Sequence, residues 1–131
     1  MKAIHVSGTR KSAVARATLV PGAGIVRVNS RLLDAYEPFM SRLKIQEPLI
    51  IAGDRAKTVN ISVSVQGGGV SSQAEAVRLV VARALAQYDE TLQKAFLDYD
   101  RILLVADVRR KETHKPNCHG KARAMRQKSY R

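Results

Sequence analysis

The 131-residue sequence contains no tryptophan, a single cysteine and only 5% aromatic residues. Its core must therefore be mostly aliphatic. Cys118 alone makes no intramolecular disulfide, which suits a reducing cytoplasm. No run approaches the ~20 apolar residues that span a bilayer. The stretch from Met1 to Arg10 lacks the apolar centre of a secretory signal. Acidic residues are scarce: 11 Asp+Glu face 23 Lys+Arg, a formal net charge of +12. That imbalance fixes no fold, but it favours polyanionic partners, with nucleic acid the commonest. The rest of the composition is ordinary: a length that suits one domain and an apolar share of 45%, enough for a core without disulfide or metal.

The positive charge is concentrated at one end. Residues 109–131 hold nine basic residues against one acid, Glu112, so +8 of the +12 lies in this segment. Its only sizeable apolar side chains are Met125 and Tyr130, and Pro116 and Gly120 interrupt any helix. Such a segment cannot bury enough to offset its own ordering entropy. The chain thus divides into a globular body, 1–108, and an extended basic tail, 109–131, suited to run along nucleic acid. No lipidation signal or apolar anchor points the tail to a membrane.

In the body, Ile4 to Ser7 reads as a strand, Gly8 to Lys11 as a turn and Ala13 to Val20 as an alternating strand. Pro21-Gly22-Ala23-Gly24 signals another turn, and Ile25 to Asn29 a third strand. The expectation is an antiparallel meander. Ser30 is placed to cap a helical piece over Arg31 to Tyr36. Pro38 starts a second piece, and Pro48 either divides it or begins Leu49–Ala52. Thr58 to Gln66 is the clearest strand, with Val59, Ile61, Val63 and Val65 on one face. Ser72 and Glu75 have capping-box spacing before a helix that runs to about Tyr88. Its stripe is Ala74, Val77, Val81, Ala84, Leu85 and Tyr88. Asp89 caps a further helix from Glu90 to about Leu97, and Ile102 to Ala106 is a short apolar run. The order implies an α+β fold, with helices on one face of a mainly antiparallel four-stranded sheet.

Candidate chemistry is sparse. Gly67-Gly68-Gly69 lies between a strand and a helix, where backbone donors can hold phosphate. With Ser71 and Ser72 it superficially resembles the phosphate loop of the galactokinase and homoserine kinase family. A kinase also needs a substrate-binding half and acids for base and metal, and the chain offers neither. The plainer role is a tight turn. Gly8-Thr9-Arg10-Lys11-Ser12 lacks the spacing of a Walker loop. Its Arg10 and Lys11, with Arg16, place three cations on one hairpin with no acid nearby in sequence, suited to RNA backbone. His114, Cys118 and His119 are too few for a structural zinc site. The sequence names no metal, no cofactor and no catalytic group.

Three stretches carry a family likeness, in order and over essentially the whole chain. They are Gly8 to Ala17, Gly67 to Ala76 continuing into Ala82-Arg83-Ala84-Leu85, and Gly120-Lys121-Ala122-Arg123 with Gln127 to Arg131. The chain resembles the small-subunit ribosomal protein nine family, whose eukaryotic member is numbered sixteen. Glu47-Pro48-Leu49 and the Tyr-Arg ending look like its archaeal and eukaryotic branch. The resemblance implies a two-layer sandwich with a left-handed crossover, a fold that the galactokinase-like enzymes share. It implies a non-enzymatic ribonucleoprotein component in the cytoplasm, bound to ribosomal RNA in the small-subunit head beside neighbouring proteins. Arg10, Lys11, Arg16, Arg109, Arg110, Lys111, Lys115, Lys121, Arg123 and Arg126 would then meet ribosomal RNA. Lys128, Ser129, Tyr130 and Arg131 would meet transfer RNA at the peptidyl site. A free-standing nucleic-acid-binding protein, or a small-molecule kinase relative on the same fold, is the alternative.

Overall fold

The computed structural model describes residues 2–116, the backbone of 118–119 and 123–124, and residue 130. Strand β1 (Ile4–Arg10) and strand β2 (Ala13–Pro21) form a hairpin, with Lys11 in the left-handed conformation at its turn (φ 52). Strand β3 (Val26–Val28) and strand β4 (Arg31–Leu32) form a second hairpin. Helix α1 (Phe39–Ala52), strand β5 (Val59–Gln66), helix α2 (Val70–Tyr88) and helix α3 (Thr91–Tyr99) follow. Beyond them, β6 (Cys118–His119) pairs with β7 (Arg123–Ala124).

The fold class is α+β, but the sheet has five strands and is mixed, in the order β1-β2-β5-β3-β4. The meander expectation fails at β3. Strand β5 pairs antiparallel with β2 along its whole length and parallel with β3 on its other edge. Asn29 explains part of the exchange. Its Oδ1 accepts from the Val65 backbone N–H at 3.0 Å and its Nδ2 donates to the Val65 carbonyl at 3.3 Å. The side chain thus continues the β3–β5 ladder past the end of the strand. Asn60 does similar work at the other end, accepting from the Ala23 and Ile25 amides.

Three further expectations fail locally. Residues 31–36 hold β4 and a 3-10 turn (Leu33–Ala35), not a helix capped by Ser30. Asn29 and Ser30 both take positive φ, the requirement of a two-residue hairpin turn. Pro48 neither breaks nor begins a helix; it lies inside α1. Its ring is fully buried, which offsets part of the ~3 kcal/mol that an interior proline costs. The capping box is absent: α2 starts at Val70 with Gly69 as its cap and no side-chain cap bond. Asp89 does hold the start of α3, its Oδ1 accepting from the Thr91 amide at 3.0 Å.

Helix α2 lies against one face of the sheet, and α1 and α3 pack against α2. Strand β2 turns Ala13, Ala15, Ala17 and Leu19 inward, and β5 turns Val59, Ile61, Val63 and Val65 inward. The small alanines let α2 approach closely over β1 and β2. Gly8 of β1 marks the closest point, since a Cβ there would lie 2.8 Å from Leu79 Cδ2. Helix α2 is covered by the sheet, α1 and α3, so its buried surface is wider than the single stripe read from spacing. Phe96 of α3 closes the core.

Candidate nucleic-acid interface

Strand parity decides where each cation of the first hairpin goes. Residues of β1 with even numbers and residues of β2 with odd numbers share the inward face, as the Gly8–Ala15 and Arg10–Ala13 pairs show. Arg10 therefore points towards the helices and Arg16 towards the open side. The structure splits a trio that the sequence set together, and Arg10 meets acids that are distant in sequence.

Arg10 Nε donates to Glu75 of α2, and its Nη1 lies 2.9 Å from Asp107 Oδ2. Its side chain is only 15% exposed. Asp107 also accepts from the Arg109 amide at 2.9 Å and from Arg109 Nη2 at 2.7 Å. Lys44 reaches Glu75 at 3.6 Å. Beside this group, Arg78 donates from Nε to Glu47 at 2.8 Å and lies 3.4 Å from Asp100. Four cations (Arg10, Lys44, Arg78, Arg109) and four carboxylates (Glu47, Glu75, Asp100, Asp107) balance in one shallow cleft.

The electrostatics reflect this balance. Partial burial pushes the Glu75 carboxyl up, but the hydrogen bond and charge of Arg10, with Lys44 behind them, outweigh it and hold the carboxyl below its ordinary value. The Arg109 side chain and amide, with the charge of Arg10, hold Asp107 well below the usual carboxylate range. Asp107 in turn raises Arg109. The cluster fastens the root of the tail to the body. Arg110 adds a hydrogen bond to Thr9 Oγ1, and Arg83 donates to the Leu104 carbonyl at 3.0 Å and the Ser7 carbonyl at 2.9 Å.

The glycine loop sits beside the hairpin turn. Gly67 and Gly68 take φ of +76 and +69, and a Cβ on Gly67 would lie 2.7 Å from the Ser12 carbonyl oxygen. Gln73 Nε2 donates to the Gly67 carbonyl at 3.0 Å. Close packing on Ser12 and Ala13 thus accounts for both glycines, as a tight turn requires.

Lys11, Arg16, Arg110 and Lys111 are exposed, and Lys115 is exposed and paired with Glu112 at 3.0 Å. Tyr130 is 88% exposed. Lys121, Arg126, Lys128, Ser129 and Arg131 lie outside the described residues, as do the side chains of Cys118, His119 and Arg123. Among the described residues, no three His, Cys, Asp or Glu side chains group as metal ligands, and no helix is long and apolar enough to cross a membrane.

In the sequence Glu75 stands out only as a capping residue and Arg83 only within a family motif, and Asp107 and Arg78 do not stand out at all. Asp107 lies two positions before Arg109, a pattern that can fold back on itself through the Arg109 amide. Nothing local marks Glu75 as the partner of Arg10; that pairing exists only once α2 lies over β1.

Comparison with known proteins gives the family. The family model described as ribosomal protein S9/S16 matches residues 8–131. Small ribosomal subunit protein uS9 from three strains of Methanococcus maripaludis is 42% identical over 134 residues, spanning all of this chain and all of each relative. That family is one of ribosomal structural proteins rather than enzymes. The chain belongs to the ribosomal protein S9/S16 family.

Proposed function

We propose that the chain is built into the head of the small ribosomal subunit, where it holds ribosomal RNA and presents the end of its tail to transfer RNA at the peptidyl site. The observation that carries this reading is charge segregation in a member of this family: acids neutralise cations up to Arg109 at the tail root, while residues 110–131 carry +7 of the +12 net charge. Lys11 and Arg16 on the body, with Arg110, Lys111, Lys115, Lys121, Arg123 and Arg126, meet ribosomal RNA backbone. Arg10 and Arg109 serve that surface by fixing where the tail leaves. Residues 1–108 act as the body and 109–131 as the tail, and the β3–β5 connection is the left-handed crossover. The chain works in the cytoplasm beside other proteins of the head.

Phosphate contacts position without reading sequence, as a tail that meets many transfer RNAs requires. Lys128, Ser129, Tyr130 and Arg131 supply those contacts. Arg131 offers a bidentate fork and Tyr130 a ring that can stack on base or sugar. Deleting Lys128–Arg131 leaves the protein assembled in small subunits and weakens retention of peptidyl-site transfer RNA. Unchanged transfer RNA binding by the truncated subunits contradicts the tail's role. Failure of the intact protein to co-sediment stoichiometrically with small subunits in moderate salt contradicts the ribosomal role itself.

A further inference from the structure

The outer face of the sheet differs chemically from the rest of the body. None of β1 to β5 contains an acidic residue; every acid of residues 1–108 lies on a helix or a connection. A face that is merely solvated interleaves both signs of charge. Here Arg16 lies opposite Ser64 of β5, and Thr18 opposite Ser62. Arg27 of β3 flanks Ser62 from the other side. Arg16, Arg27, Ser62 and Ser64 are exposed, and neither arginine side chain has a hydrogen bond or ion pair among the described residues.

Sheet geometry sets the spacing of the two arginines. The two arginines are two strands apart and offset by two residues. At ~4.8 Å between strands and ~3.4 Å per residue, their backbones stand about 12 Å apart. The hydroxyls of Ser62 and Ser64 on β5 lie between them, and Thr18 stands beside Arg16 on β2. The face presents no Phe, Tyr or Trp, and its one ring, His5, is tied to Thr18 Oγ1 at 3.1 Å, so it offers no row of platforms on which successive unstacked bases could stack. An RNA duplex needs none. Its minor groove is wide and shallow, lined with 2′-hydroxyls and bordered by phosphates, and proteins recognise it through those groups.

We propose that this outer sheet face docks a double-stranded segment of RNA across its minor groove. Arg16 and Arg27 engage phosphates of the two strands, and Thr18, Ser62 and Ser64 meet the 2′-hydroxyls between them. The inference rests on the ribosomal RNA reading above. It adds the form of RNA, the face that holds it, and Arg27 with the three hydroxyls as contact residues.

The test uses the full chain and a fluorescent RNA duplex of about 20 base pairs, a length near what a duplex-binding domain covers. One strand alone and the DNA duplex of the same sequence serve as comparisons. Arg16→Gln/Arg27→Gln should weaken duplex RNA binding about tenfold and make its salt slope shallower by ~1.8, two phosphates at ~0.9 each. Single-strand binding, carried by the tail, should hold. Lys94→Gln/Arg101→Gln removes the same charge from the helix side and should leave duplex binding intact, and thermal melting should show both variants folded. Equal losses in the two double variants, equal losses on single-stranded RNA, or DNA duplex bound as tightly as RNA overturns the proposal. Wild-type co-sedimentation with small subunits is scored separately. A protein that co-sediments while its duplex binding ignores Arg16 and Arg27 defeats the face assignment alone. One that fails to co-sediment defeats the ribosomal reading.

Discussion

Arg10 and Arg16 belong to one hairpin and meet opposite surroundings. On the helix side, Arg10 is mostly covered and lies between two carboxylates, Glu75 and Asp107. On the outer side, Arg16 is exposed on a face whose strands hold no acid. Strand parity alone separates them. The same residue type therefore does two jobs. Paired with acids, a guanidinium binds elements of the protein together; unpaired, it keeps its donors for an external anion. A count of basic residues cannot tell these apart, and the partners can.

The contrast can be strained first through stability. Phe96→Ala, which empties the core beneath the helices, should cost ~3–5 kcal/mol in urea denaturation. Ser62→Ala on the outer face should stay within about 0.5 kcal/mol. A similar cost for both would mean that the outer face is also a packed surface.

The arginines give a smaller and sharper comparison. Arg10→Ala leaves Glu75 and Asp107 without their shared partner and should cost about 1–2 kcal/mol, moderated because Glu75 remains a third exposed. Arg16→Ala should change stability by no more than about 0.5 kcal/mol. Chemical denaturation of the two variants side by side reads the difference.

Acid provides the smallest effect. Both Glu75 and Asp107 are held below their ordinary values, so each adds stability that is complete above its unfolded value and lost as pH falls through the lower folded one. The melting-temperature gap between wild type and Arg10→Ala should be full at neutral pH and shrink once pH drops below ~4. A gap that grows on acidification would show that the carboxylates oppose the folded state.

Much of the fold is legible in the chain itself. Alternation at Val59 to Val65 marks β5 and its inward face, and the apolar spacing from Ala74 to Leu85 marks α2. Those signals are local, and local periodicity survives folding. The place of β3 is not legible, because whether it pairs with β2 or β5 depends on a strand more than 30 residues later. Pro48 misleads for a related reason: its ring is buried by neighbours that its own sequence does not reveal. At the interface, the basic tail stands out by composition, whereas the pairing of Arg10 with Glu75 depends on helix placement. The outer face escapes notice because its signal is an absence of acids spread over separate strands.

The most direct test of the contrast is the salt dependence of binding to small-subunit ribosomal RNA in two variants with equal charge loss. Arg16→Gln/Arg27→Gln should make the slope of log K against log salt shallower by roughly 1.8. Arg10→Gln/Arg78→Gln, measured below its melting temperature, should leave the slope at the wild-type value. A slope that changes with the helix-side pair and not with the outer pair would contradict the account.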